Sequence, residues 1–121
     1  MNLKTLVEDL DVLVSQGAMV DGVKQFFADD AVTLDYKGVR TMNKKQALEK
    51  MQAIADAVTK VNGITHHGTL IEGNESASEF TFDFKLSGNS TIYWHEIIRR
   101  TWNEKGQVVK EEYFNSHKTK I

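Results

Sequence analysis

The sequence predicts an α+β domain in which three N-terminal helices pack on a mainly antiparallel sheet. Three observations carry this. Apolar residues recur at helical spacing through the first third of the chain. From residue 59 the period changes to two. Short clusters of Gly, Asn and Ser then divide the second half into four strand-length segments. Helices first and a meander second is the pattern of helices laid on one face of a sheet. With 121 residues, the chain is read as one domain, 1–121, long enough to bury a core.

The elements follow in order. Leu3, Leu6, Val7, Leu10, Leu13 and Val14 keep the i, i+3, i+4, i+7 rule of an amphipathic helix, and Gly17 suits its C-terminal cap. A second, shorter helix carries Val20, Val23, Phe26 and Phe27 and is expected to end at Asp29-Asp30. Ala31 to Asp35 reads as a short strand, turned by Tyr36-Lys37-Gly38 into Val39 to Met42. Asn43 followed by Gln46 resembles a capping box, opening a third helix with a stripe of Ala47, Leu48, Met51, Ile54, Ala55 and Val58. Strands are expected near 60–72, 77–87, 90–102 and 107–115, separated by Gly73-Asn74, Ser87-Gly88-Asn89 and Asn103 to Gly106. Phe80, Phe82 and Phe84 alternate with Thr81, Asp83 and Lys85, so one face of that strand belongs to the core. The next strand, Tyr93-Trp94-His95-Glu96-Ile97-Ile98, is large-residue-rich at both parities. A solvated outer face has no need of Tyr93 and Ile97, so a homodimer through that face is expected.

Composition excludes several function classes. The chain has no cysteine, which removes disulfides, thiolate nucleophiles and thiolate metal sites. Net charge is −2, and the only basic cluster is the tail His117-Lys118-Thr119-Lys120, so neither nucleic acid nor a membrane surface is expected as a partner. The opening MNLKTLVEDLDVLV carries acids within its apolar stretch and reads as a helix rather than a signal peptide; a cytoplasmic location is the expectation. His66 and His67 are neighbours on a strand and point to opposite faces, His95 and His117 are scattered, and no metal or cofactor is expected. Arg99 and Arg100 split between faces in the same way, which argues against a phosphate clamp.

The segment FFADDAVTLDYKG, residues 26–38, resembles the stretch after the second helix of ketosteroid isomerases and SnoaL-like cyclases. The C-terminal TWNEKGQVVKEEYF resembles the strand–turn–strand that closes the same domains. With the order of helices and strands, the resemblance to the nuclear transport factor 2-like superfamily covers essentially the whole chain. It implies a cone-shaped fold, the helices closing a curved sheet over an apolar pocket, and leaves function open, because this fold hosts isomerases, cyclases, dehydratases and non-enzymatic binders. Aligned on Asp29-Asp30, Asp35 falls where ketosteroid isomerases place their general base. The first helix has no tyrosine, and Ile98 stands where those enzymes have a protonated aspartate, so their oxyanion donors are missing.

The resemblance also places one side of the last two strands in the pocket. A four-residue loop at Asn103 to Gly106 sets Trp102 opposite Gln107, Ile98 opposite Glu111, Glu96 opposite Tyr113 and Trp94 opposite Asn115. Glu96 and Glu111 are then diagonal neighbours, with Tyr113 and Arg100 in reach. Carboxylates crowded in an apolar cone repel and are desolvated, which raises a pKa toward neutrality and suits general acid–base work. The candidate catalytic residues are Asp35, Glu96, Glu111 and Tyr113; Phe80, Phe82, Phe84, Trp94, Ile98, Arg100 and Asn115 are the candidate ligand contacts. A two-residue turn at Gly88-Asn89 brings Tyr93, His95 and Ile97 beside the phenylalanines; a three-residue loop, or one bulge, brings Trp94, Glu96 and Ile98 instead, and is preferred because the C-terminal resemblance implies it. Each candidate also has a plainer reading: Glu96 with Arg100 as a structural ion pair, Asp35 as the cap of a turn, the aromatics as core. Three functions stay open: a proton-transfer enzyme (isomerase, cyclase or dehydratase) on an apolar small molecule, a non-catalytic binder of such a molecule, and a protein-interaction module.

Overall fold

The computed structural model describes residues 2–116; the basic tail from His117 lies outside them. Helix α1 spans Leu3–Ser15, α2 Met19–Phe26 and α3 Lys44–Ala57. The strands are β1 Phe27–Leu34, β2 Arg40–Thr41, β3 Val58–Glu72, β4 Glu75–Leu86, β5 Thr91–Trp102 and β6 Val108–Ser116. They form one open sheet of order β2-β1-β6-β5-β4-β3. All neighbours are antiparallel except β1 and β6, which run parallel, so the sheet is mixed.

Local chemistry explains the helix ends. Asn2 caps α1 through its side-chain oxygen, which accepts from the Thr5 N–H. At the other end Ala18 N–H donates to Leu13 O at 2.8 Å and Gly17 N–H to Val14 O at 2.9 Å. That is a Schellman closure, and its left-handed residue is Gly17 at φ +79°. Asn43 caps α3 by accepting from Gln46 N–H at 2.9 Å, while the Gln46 side chain accepts from Met42 N–H rather than from Asn43 itself. Helix α2 ends at Phe26, short of the expected stop at Asp29-Asp30. Phe27 already belongs to β1, and Asp29-Asp30 form an exposed irregularity within that strand, where the register to β6 shifts.

The even-numbered residues of β4 and β5 face the helices and the odd-numbered ones face outward. Phe80, Phe82 and Phe84 run in file with ring centroids 5.5 and 5.7 Å apart. They join Val7, Leu10, Val14, Val23, Phe26, Ile98, Trp102 and Val108 in the buried core. A three-residue loop, Ser87–Asn89, connects β4 to β5 and pairs Phe82 with Trp94 and Phe80 with Glu96, the preferred of the two registers.

At the last hairpin the register differs from the expected one by two residues. Asn103 N–H donates to Gln107 O, so the loop is one residue shorter, with the Asn103 side chain accepting from the Lys105 and Gln107 N–H groups. Trp102 pairs with Val108 but Thr101 with Lys110, so Val109 is the extra residue of a bulge. The two single shifts add. Parity is therefore kept, and Glu111, Tyr113 and Asn115 still face inward, but their partners become Arg100, Ile98 and Glu96.

Candidate functional site

Between the helices and the sheet lies a cavity of about 120 Å³. Its walls are Leu10 and Val14 of α1, Met19 and Val23 of α2, Met51 and Ile54 of α3, and Phe82, Phe84, Trp94 and Ile98 of the sheet. The polar lining comes from Glu96, Arg100, Glu111 and Tyr113 of the sheet and from Asp35, Tyr36 and Lys50 nearer the helices.

Arg100 organises the sheet side. Its guanidinium is 1 % exposed. Nε donates to Glu111 Oε2 at 2.7 Å and Nη1 to Asp11 Oδ1 at 3.2 Å. Desolvation opposes the charge, but Glu111 and Asp11 outweigh it and hold the guanidinium above its usual range. Tyr113 donates its hydroxyl to the other Glu111 oxygen. Burial first, and then the adjacent Glu111 carboxylate, push the phenol well above its ordinary value, so it stays an O–H donor. Asp11 gathers more donors, Ser78 Oγ at 2.8 Å and Thr69 Oγ1 at 2.7 Å, with His66 Nε2 at 3.6 Å.

Glu96 differs in kind. It is 8 % exposed, and among the described residues the one hydrogen bond it receives from a side chain is a long one, 3.5 Å, from Asn115 Nδ2. Asn115 Oδ1 is buried with no hydrogen-bond partner among the described residues. Burial, and secondarily repulsion from Glu111, raise the Glu96 carboxyl to about 7, with Lys50 pulling weakly the other way. Asp35 is the opposite case. Burial disfavours its charge, yet Val39 N–H and Lys37 N–H, each at 2.9 Å, and Lys50 Nζ at 3.1 Å hold it below the ordinary carboxylate value. It closes the turn before β2 and lies at the cavity wall as an ionised partner of Lys50.

The fold thus gathers Glu96, Glu111, Tyr113, Arg100, Ile98, Trp94, Phe82, Phe84 and Asp35 around one cavity. Phe80 is fully buried behind them, stacked on His66 at 4.6 Å, and Asn115 touches the site through Glu96. Glu96 and Glu111 are not diagonal neighbours: the register shift puts the Ile98–Tyr113 pair between them. Arg100 pairs with Glu111 and Asp11 rather than with Glu96. Two participants were not anticipated, Asp11 and Lys50. Each had a signal: Asp11 falls on the buried face with Val7, Leu10 and Val14, and Lys50 lies three residues after Ala47 and four before Ile54. His66 faces inward and His67 outward, where it meets Thr81 and His95. Among the described residues no group of three His, Asp or Glu side chains is placed to hold a metal.

Two outcomes follow. Arg100→Met leaves Asp11 and Glu111 buried without their cation and is expected to cost about 3 kcal/mol or more of stability, read by urea unfolding. For Glu96 the folded-state value of about 7 lies above the ordinary 4.5. Its protonated form therefore supports folding in full below pH 4.5, and that support is lost as pH rises through 7. Glu96→Gln removes the dependence, so the stability gap between variant and parent should shift in the variant's favour by on the order of 3 kcal/mol from pH 4.5 to pH 8. A pH-independent gap in paired urea titrations contradicts this.

No protein-family model matches the chain, and no curated protein matches it. Solved structures do. A candidate SnoaL-like polyketide cyclase from Mesorhizobium loti superposes with a TM-score of 0.83 at 19% identity, over 94% of this chain and 99% of that one. An NTF2-like protein of unknown function from Exiguobacterium sp. 255-15 gives 0.73 at 12% identity, over 97% and 100%. A hypothetical protein from Catenulispora acidiphila with a ketosteroid isomerase-like fold, solved in complex with trimethylamine, gives 0.72 at 12% identity, over 87% and 81%. At such identities the likeness is one of fold, and the chain has the nuclear transport factor 2-like fold that these SnoaL-like and ketosteroid isomerase-like proteins share.

Proposed function

We propose that the chain is a small-molecule enzyme of the proton-transfer type, acting on an apolar compound that bears a carbonyl or similar group, with Glu96 as the acid or base. One observation carries this: a carboxyl group set at the wall of an apolar cavity, with its pKa brought to about 7 and no strong partner among the described residues. Glu111 is less suited, since both its oxygens already accept, from Arg100 and Tyr113. Its part is to hold those two donors beside the substrate. Asp35, stabilised as a carboxylate, is a weak base and serves to place Lys50 at the wall. The cavity volume is of the order that takes a single ring rather than a fused polycycle.

Because the reaction is open, the test is one any such enzyme must pass: exchange of carbonyl α-hydrogens for deuterium, followed by NMR over a panel of small ketones. The parent should accelerate exchange with a rate that rises through pH 7 as Glu96 ionises. Glu96→Gln should lose about 100-fold or more, and Asp35→Asn only a few-fold. Equal rates in parent and Glu96→Gln refute the assignment. Ligands bound tightly and returned without exchange point instead to a non-catalytic binder.

We further propose a homodimer through the outer sheet face. Its support is the exposed apolar set there: Leu70 at 79 %, Tyr93 at 72 % and Phe114 at 49 %, the last directly opposite Ile97. Phe114→Glu should convert a dimer to monomer in sedimentation velocity; a monomeric parent ends the proposal.

A further inference from the structure

A second concavity, of about 480 Å³, lies on the outside of the helix layer, between the start of α2, the C-terminal half of α3 and the start of β3. It is lined by Val20, Ala55, Val58 and Val61, with Asp21 and Lys24 among its polar residues. Met19, Met51, Ile54 and Phe84 line both this groove and the Glu96 cavity. One layer of side chains therefore separates the two spaces, and two of its four members are methionines. Methionine is unbranched, has three soft torsions and yields to the shape pressed against it. Phe84 is fixed in the core, 2 % exposed, whereas Met19 and Met51 are only partly buried.

We propose that the two spaces are one binding site in two parts, and that the ligand is a single-headed amphiphile: a carbonyl head in the Glu96 cavity and an unbranched alkyl tail passing between Met19 and Met51 into the groove. This rests on the proposed function for its head group and adds the tail. Three features select a flexible chain over other occupants. The inner cavity is too small for a fused polycycle. The separating layer is compliant at its methionines and stiff at Phe84, so it parts for a thread but not for a plate. The groove beyond continues apolar and opens to solvent, with Asp21 and Lys24 at hand but, among the described residues, no buried charge to meet a second polar end.

The test is a binding series of straight-chain methyl ketones, 2-hexanone, 2-octanone, 2-decanone and 2-dodecanone, read by tryptophan fluorescence, since Trp94 lines the inner cavity. Affinity should rise roughly two- to four-fold per added methylene through the series. Ala55→Trp, at an exposed helix position that tolerates the change, should fill the groove; it should leave 2-hexanone within two-fold and abolish the gain for the two longest ketones. Glu96→Gln should keep the chain-length dependence even as it loses exchange, so head chemistry and tail site are judged separately. Affinity that levels off after 2-hexanone, a series that does not bind, or an Ala55→Trp variant that holds 2-dodecanone as tightly as the parent overturns the tail site.

Discussion

Everything at the centre of this protein is arranged around one buried guanidinium. Arg100 stands on β5, takes Glu111 from β6 at its side, and reaches up to Asp11 on α1. A charge so deep is tolerated only when its donors are satisfied and its field is answered. The requirement ties the helix layer to the sheet at a fixed point and sets which inward faces meet. Ser78 and Thr69 complete the arrangement from β4 and β3 by donating to Asp11, so four strands or helices report to a single ion. The apolar core around it supplies most of the burial; the polar cluster supplies the register.

That arrangement has an electrostatic remainder. One guanidinium faces two carboxylates, and Glu96, nearby on the same face, finds no cation within bonding distance among the described residues. Like charges in a poorly solvated space do not all ionise, and the least supported group yields. Glu96 is that group, held among the described residues by a long contact from Asn115. Its near-neutral pKa follows first from burial and second from the repulsion of Glu111. At the helix side the same logic runs in reverse: Lys50 and two backbone N–H groups surround Asp35 and keep it charged.

Much of this was legible in the sequence because it depends on periodicity. The phenylalanine alternation at 80, 82 and 84 identified the inward face of β4, but bringing Glu96, Ile98 and Arg100 to the same side also required a three-residue loop after Leu86, which the C-terminal resemblance favoured over a two-residue turn. The pairing across β5 and β6 was not legible, since a shorter loop and a bulge at Val109 each cost one residue of register and neither is written in residue type. Because the two shifts cancel in parity, the right residues line the cavity beside unexpected partners. Asp11 escaped notice for a different reason. An acid on the apolar face of a helix is ordinarily a flaw in the pattern, and only the partner 89 positions away turns it into a structural element.

Strand β3 has consequences for how the protein behaves in company. It is the outermost strand, 15 residues long, and carries exposed Val61, Leu70 and Ile71 along a free edge. A straight edge of that length invites further chains to add to it. Its ladder with β4, however, breaks between Val58 and Lys60, between Val61 and Gly63, and between His66 and Gly68. No uninterrupted stretch exceeds the five residues from Gly68 to Glu72. These irregularities leave an incoming strand no long run of evenly spaced groups to pair with. A bent edge and resistance to edge-on aggregation are here two results of one set of backbone offsets.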